Sequence, residues 1–180
     1  MENITLISQP RSGYHWLLAV LMHNIPRGLS VTPKSHNEQY NASDKFVYVY
    51  RKDIEASVAS LHNVRSFFGL DIDDYNTFKN TRMRDMFNAN MPVTVVTDGI
   101  DIEHIDPMFR DETKTPVEFM NASQAYWFGY GSTANVHLVC YEDMVSDLQG
   151  TMDTLFDFMN IPRQTIIDVP TRVGITETMS

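Results

Sequence analysis

The sequence predicts an α/β protein, a single domain with a parallel sheet flanked by helices. Two observations carry this reading. Short β-branched and aromatic runs alternate with stretches whose apolar residues recur at helical spacing. The length is that of one domain, residues 1–180. A chain of this size buries about 70% of its unfolded surface and needs no disulfide or metal staple.

The elements follow in order. Residues 4–8 are apolar and β-branched, bounded by Gln9-Pro10, and form the first strand. Gly13 follows, and Trp16, Leu17, Leu18, Val20 and Leu21 mark a buried helix. Residues 29–32 form a second short strand. Residues 46–50, Phe-Val-Tyr-Val-Tyr, are the clearest strand in the chain. Asp53 then caps a helix that runs to residue 64. The middle predicts a helix over 75–87, a short strand over 93–97 and an acidic loop over 98–112. A helix over 117–130 is ended by Gly129 and Gly131. Residues 136–140 are another strand. Leu148, Met152, Leu155, Phe156 and Met159 recur at helical spacing after it, and Pro162 closes that helix.

Composition narrows the function. With 43% hydrophobic and 21% charged residues the chain is a globule and not a disordered segment. The net charge is −9, which argues against a general nucleic-acid binder. Residues 1–84 hold 10 basic and 8 acidic side chains, residues 85–180 hold 4 and 15. A small anionic ligand therefore belongs against the first half. Cys140 is the only cysteine, so no intramolecular disulfide and no cysteine-based zinc cluster form. No run of apolar residues is long enough to cross a membrane. The N-terminus lacks a basic start and a long apolar stretch, so a cytoplasmic location is expected.

The first motif is Ser8-Gln-Pro-Arg-Ser-Gly-Tyr-His-Trp16, between a strand and a helix. Such a turn offers free backbone N–H groups and the positive helix end to an anion. Gly13 allows close approach, and Arg11 adds a fixed charge with a fork of donors for phosphate or sulfate. The spacing is not that of a Walker A loop.

This segment resembles the first signature of the PAPS-dependent sulfotransferases, Pro-Lys/Arg-Ser-Gly-Thr-Thr-Trp-Leu. Residues 10–17 match it except at Tyr14 and His15, which replace threonines that help hold the 5′-phosphosulfate. The resemblance implies 3′-phosphoadenosine 5′-phosphosulfate (PAPS) as donor and the P-loop-like sulfotransferase fold. It also implies contacts to the donor from Arg11, Ser12, Gly13, Tyr14, His15 and Trp16. Phe46-Val-Tyr-Val-Tyr-Arg-Lys-Asp-Ile-Glu-Ala-Ser-Val-Ala-Ser60 is similar to the family's strand–arginine–helix segment. There an arginine, and a serine eight residues later, bind the 3′-phosphate. Arg51 matches, and the strict serine position falls on Ala59. Ser60 is the preferred substitute, about 100° around the helix from position 59, against about 160° for Ser57.

Lys34-Ser35-His36 resembles the Lys-Thr-His segment of the cytosolic enzymes. By that resemblance His36 is the catalytic base, and Lys34 stabilises the transferring group. A histidine with an ordinary pKa near ~6.5 can accept a proton at neutral pH. His15 is the rival base, inside the loop; His23, His62, His104 and His137 read as structural. Val136-His-Leu-Val-Cys-Tyr-Glu-Asp-Met144, a helix and Asn160-Ile-Pro162 resemble the family's Tyr-Glu-Asp-Leu strand and following helix. There Glu142 and Asp143 end a strand and brace a loop. Thr171-Arg-Val-Gly-Ile175 resembles the segment closing over the 3′-phosphate, which carries over Arg172 and Gly174, with Glu177 at a later glycine position.

These segments, in family order, imply sulfuryl transfer from PAPS to a hydroxyl or amine of a small acceptor. The products are the sulfated acceptor and adenosine 3′,5′-bisphosphate, and no metal is implied. Two alternatives stay open. One is a P-loop nucleotide or small-molecule kinase, which needs a Walker lysine and a magnesium site. The other is a non-catalytic protein that binds PAPS or adenosine 3′,5′-bisphosphate.

Overall fold

The computed structural model describes residues 3–26, 29–33, 38–90 and 109–169. They fall into two compact units, divided between residues 53 and 54 and between residues 121 and 122.

The first unit is built on a four-stranded parallel sheet. Its strands are β1 (Asn3–Ser8), β2 (Ser30–Pro33), β3 (Lys45–Tyr50) and β4 (Val136–Cys140), in the order β2-β1-β3-β4. Leu6 lies opposite Val47 on β3, and Tyr48 opposite Leu138 on β4. Phe46, Val47, Tyr48 and Val49 are all buried. A parallel strand covered on both faces reads as an unbroken apolar run, which is why this stretch stands out in the sequence.

Helix α1 (Tyr14–Asn24), the short α5 (Tyr141–Ser146) and α6 (Leu148–Phe158) cover one face. Leu17, Leu21, Met144, Met152 and Leu155 pack there against Leu6, Val47 and Val139. On the other face Trp127 packs with Ile7, Phe46, Tyr48 and Val136. The Tyr48 hydroxyl meets Ser123 Oγ at 2.8 Å, which satisfies a buried polar group within an aromatic layer. Trp127 and Ser123 lie on α4 (Pro116–Tyr130). That helix starts with proline in its first position and a reciprocal cap. Glu118 N–H donates to Thr115 Oγ1 at 3.3 Å, and Thr115 N–H to Glu118 Oε2 at 2.9 Å. Beyond α6, residues 164–167 run along α1. Asn24 Nδ2 donates to Ile167 O at 2.9 Å, and Ile167 N–H returns to Asn24 Oδ1 at 2.8 Å.

The second unit holds α2 (Ile54–Asn63), α3 (Tyr75–Asn80) and two 3₁₀ turns, Arg65–Phe68 and Met83–Met86. Its core includes Val58, Leu61, Leu70, Phe78, Met83, Met86, Phe109 and Phe119.

Three expectations change. The helix expected over 75–87 breaks after Asn80 and resumes as the turn at Met83. Backbone partners decide this: Met83 N–H donates to Lys114 O at 3.0 Å and Arg84 N–H to Glu112 O at 2.9 Å, bonds a continuous helix would spend internally. Helix α5 directly follows β4, where the sequence suggested only a strand end. Phe109, placed in an acidic loop, is fully buried. The strand expected over 93–97 lies outside the described residues.

Candidate active site

The chain leaves β1 into a tight loop, residues 9–13, and enters α1 at Tyr14. Arg11 has φ 61° and Gly13 φ 86°, so both residues are left-handed. Left-handed residues alternating with residues of ordinary φ are the backbone pattern of anion-binding nests. Gly13 also makes a close approach. A Cβ there would lie 2.4 Å from Cδ2 of Tyr141. Ser12 is fully buried, and its hydroxyl donates to Gln9 O at 2.6 Å and to Val49 O at 3.0 Å. These bonds pin the loop to the end of β3. Gly13→Ala is expected to destabilise the fold by about 2–4 kcal/mol, from the positive φ and the collision with Tyr141. Thermal unfolding should show a fall of roughly 4–16 °C; an unchanged midpoint would contradict this loop conformation.

Arg51 follows β3. Its guanidinium lies 4.9 Å from the centroid of the Tyr141 ring. Its Nε is 3.7 Å from Glu142 Oε1 and is buried without a hydrogen-bond partner. Glu142 also accepts from Lys52 N–H at 3.0 Å and Asp53 N–H at 3.3 Å. Burial pushes the Glu142 carboxyl up, but the bonds from Lys52, Cys140 and Asp53 outweigh it and hold the pKa below the usual value. Glu142 thus remains ionised and braces the turn after β3. Asp143 takes Lys52 Nζ at 2.8 Å. Tyr141 therefore touches both halves of the site, with the loop glycine on one side and Arg51 on the other.

The loop side chains respond to this setting. Arg11 and His15 keep accessible faces, yet surrounding chain still strips water from their charged ends. Burial, and then the nearby Arg51 charge, lower the Arg11 pKa. Burial, and then Arg11, lower that of His15, which keeps the imidazole neutral at pH 7. Burial lifts the Tyr14 phenol to about 12. Trp16 donates its indole N–H to Asp168 Oδ1 at 3.2 Å and meets Tyr141 edge-on at 6.2 Å.

The structure thus brings Arg11, Ser12, Gly13, Tyr14, His15, Trp16 and Arg51 to the ends of β1 and β3. Ser60 is half-buried on α2; Ser57, one turn earlier, is fully buried with its hydroxyl unpartnered. Lys34, His36, Arg172 and Gly174 lie outside the described residues. Reading the sequence singled out neither Tyr141 nor Gln9 as site residues, although both fall in quoted segments. Gln9 is fully buried. Its Oε1 accepts from Gln124 Nε2 at 2.7 Å and more loosely from Arg51 N–H at 3.5 Å. Gln124 Nε2 also donates to Arg51 O at 2.6 Å. Among the described residues no group of side chains is arranged to hold a metal ion.

A parallel sheet with a glycine loop leading into a helix after its first strand, and an arginine at the end of a neighbouring strand, is a frame suited to phosphate-type ligands. A family model described as "Sulfotransferase domain" matches residues 33–173, most of the chain. The chain belongs to the sulfotransferase family. Among solved structures it is similar to a mouse sulfotransferase, SULT7A1, complexed with PAP. That match has a TM-score of 0.59 at 14% identity, over 91% of this chain and 60% of the mouse one. It supports the P-loop-like α/β fold read from the sequence. The chain spans 60% of the length of that enzyme. A sulfotransferase domain from the curacin biosynthetic pathway matches with a TM-score of 0.36 at 16% identity, over 84% of this chain and 45% of that one. No curated protein matches by sequence. No helix among the described residues is long and apolar enough to cross a membrane.

The residues present fit an anionic donor. Arg11 lies in the loop after β1 and Arg51 follows the neighbouring β3, so two guanidinium groups stand at one end of the sheet, with Glu142 3.7 Å from Arg51. The left-handed loop beside them offers N–H groups and no side chain at Gly13.

Proposed function

We propose that this protein transfers the sulfuryl group of PAPS to a hydroxyl or amine of a small acceptor and releases adenosine 3′,5′-bisphosphate. The observation that carries the reading is the loop between β1 and α1, left-handed at Arg11 and Gly13, with Arg51 at the end of the neighbouring β3. Bound there, PAPS supplies an activated sulfuryl group. Ser12, Gly13, Tyr14, His15 and Trp16, with Arg11, face its 5′ end. Arg51 grips the 3′-phosphate, with Arg172 and Gly174 by the family pattern and Ser60 in place of the family serine whose position falls on Ala59. His36 takes the acceptor's proton on a ring nitrogen. Arg11 and Lys34 offset the charge left on the departing phosphate oxygen. The acidic second half disfavours a polyanionic acceptor, so a small alcohol, phenol or amine is the substrate class.

Adenosine 3′,5′-bisphosphate should stabilise the fold, and AMP much less. At 100 times Kd the gain is about 2.7 kcal/mol, read as a rise in the thermal unfolding midpoint. Equal shifts from the two nucleotides would sink the 3′-phosphate assignment. A second reading is a protein that binds the bisphosphate without transfer, and it rests on Tyr14 and His15 standing where the family signature has threonines. Incubation with labelled PAPS and a panel of small alcohols, phenols and amines separates the two.

A further inference from the structure

We propose that Gln9 is a ligand-binding residue of this site, its side-chain Nε2 donating to an anionic oxygen of the donor nucleotide held by the loop. The proposal rests on the donor-site reading above. The orientation of the amide follows from its partners. Gln124 Nε2 donates to the Arg51 carbonyl at 2.6 Å, which fixes Gln124 with its nitrogen toward Arg51. The same nitrogen lies 2.7 Å from Gln9, so Gln9 must present its oxygen there. That oxygen also receives the long contact from Arg51 N–H. The amide nitrogen of Gln9 is therefore turned away from both partners, and it is buried with no hydrogen-bond partner.

The backbone at Gln9 is fixed. Its N–H donates to Val49 O at 2.9 Å, and its carbonyl takes the Ser12 hydroxyl at 2.6 Å. An unsatisfied buried amide is a standing cost to a fold, and a ligand oxygen within reach of this one would remove it. The residue opens the loop that carries Arg11, and its side-chain oxygen receives the Arg51 N–H, so it stands beside both arginines of the proposed site. A neutral donor held by a second amide, instead of a further charge, gives direction to their attraction for an anion. It also makes Gln124 a positioning residue, because it sets which way the Gln9 amide points.

The test uses the full chain, titrated with adenosine 3′,5′-bisphosphate by calorimetry, with the Gln9 side-chain amide followed by ¹H–¹⁵N NMR. Gln9→Met removes the donor at similar volume. Gln9→Glu keeps the oxygen that Gln124 and Arg51 use and replaces only the free nitrogen, so it guards against misfolding. The expected result is a downfield shift of the Gln9 amide protons on binding, an affinity loss of ~10–100-fold in Gln9→Met, and a larger loss in Gln9→Glu that recovers as pH falls and the carboxyl gains a proton. If the wild type binds and the amide resonance stays in place, or Gln9→Glu keeps its affinity within about threefold, the role of Gln9 is overturned and the donor site stands. If the wild type binds no bisphosphate, the donor site falls and Gln9 with it.

Discussion

Replacing Arg51 with alanine is expected to weaken binding of adenosine 3′,5′-bisphosphate by about 2–5 kcal/mol, the order found when one partner of a desolvated charge pair is removed. That corresponds to roughly 30- to 5,000-fold in Kd. Arg51 sits against Tyr141 with one edge near Glu142, so its planar fork is held ready before a ligand arrives. Arg51→Lys should recover only part of the loss. A lysine ammonium carries the charge but cannot lie flat on the ring or present paired donors. Calorimetry on both variants, after far-UV circular dichroism shows them folded, gives the comparison. Wild-type affinity in Arg51→Ala would place the phosphate site elsewhere. Arg51 also lowers the pKa of Arg11, so the alanine variant should leave Arg11 less perturbed and the loop less eager for an anion.

His36→Ala is expected to lower turnover by roughly 10²–10⁴-fold while leaving the bisphosphate affinity nearly unchanged. A base that faces the acceptor contributes to proton transfer and not to holding the nucleotide. His15 is the internal control. It lies at the start of α1 beside Arg11, with its pKa held down by burial and by that cation, so His15→Ala should act on donor binding. An anion bound next to it would raise the His15 pKa, so its protonated form would strengthen binding as pH falls. The measurement needs an acceptor found by screening with labelled PAPS. Near-normal turnover in His36→Ala, together with loss of turnover in His15→Ala at saturating donor, would reverse the two roles.

Much of this molecule was legible along the chain. The stretch Phe46-Val-Tyr-Val of β3 is an unbroken buried run, because a parallel strand covered on both faces has no polar side to show, while β1 and β4 are short apolar runs interrupted by Thr5 and His137. The loop between β1 and α1 announces itself by glycine, arginine and serine between a strand and a helix, a local pattern with a local cause. Arg51 is readable for the same reason, as a cation at the end of the strongest strand.

Other features depend on residues far apart in sequence, and no local signal encodes them. The order β2-β1-β3-β4 is set by which apolar faces the helices cover, and it brings the ends of β1 and β3 side by side. The break in α3 comes from carbonyls at 112 and 114 that compete for the backbone of 83 and 84. Tyr141 reads as part of a strand end, yet it packs against both Gly13 and Arg51 because β4 runs beside β3 and turns at once into α5. The sequence by itself determined the four described strands and the glycine turn between β1 and α1, since each follows from the chemistry of adjacent residues. The tertiary structure alone decided that Gln124, 115 positions from Gln9, takes the oxygen of that amide and leaves its nitrogen without a partner. A hydrogen bond between distant side chains depends on how helix and sheet pack, and packing is a property of the whole core.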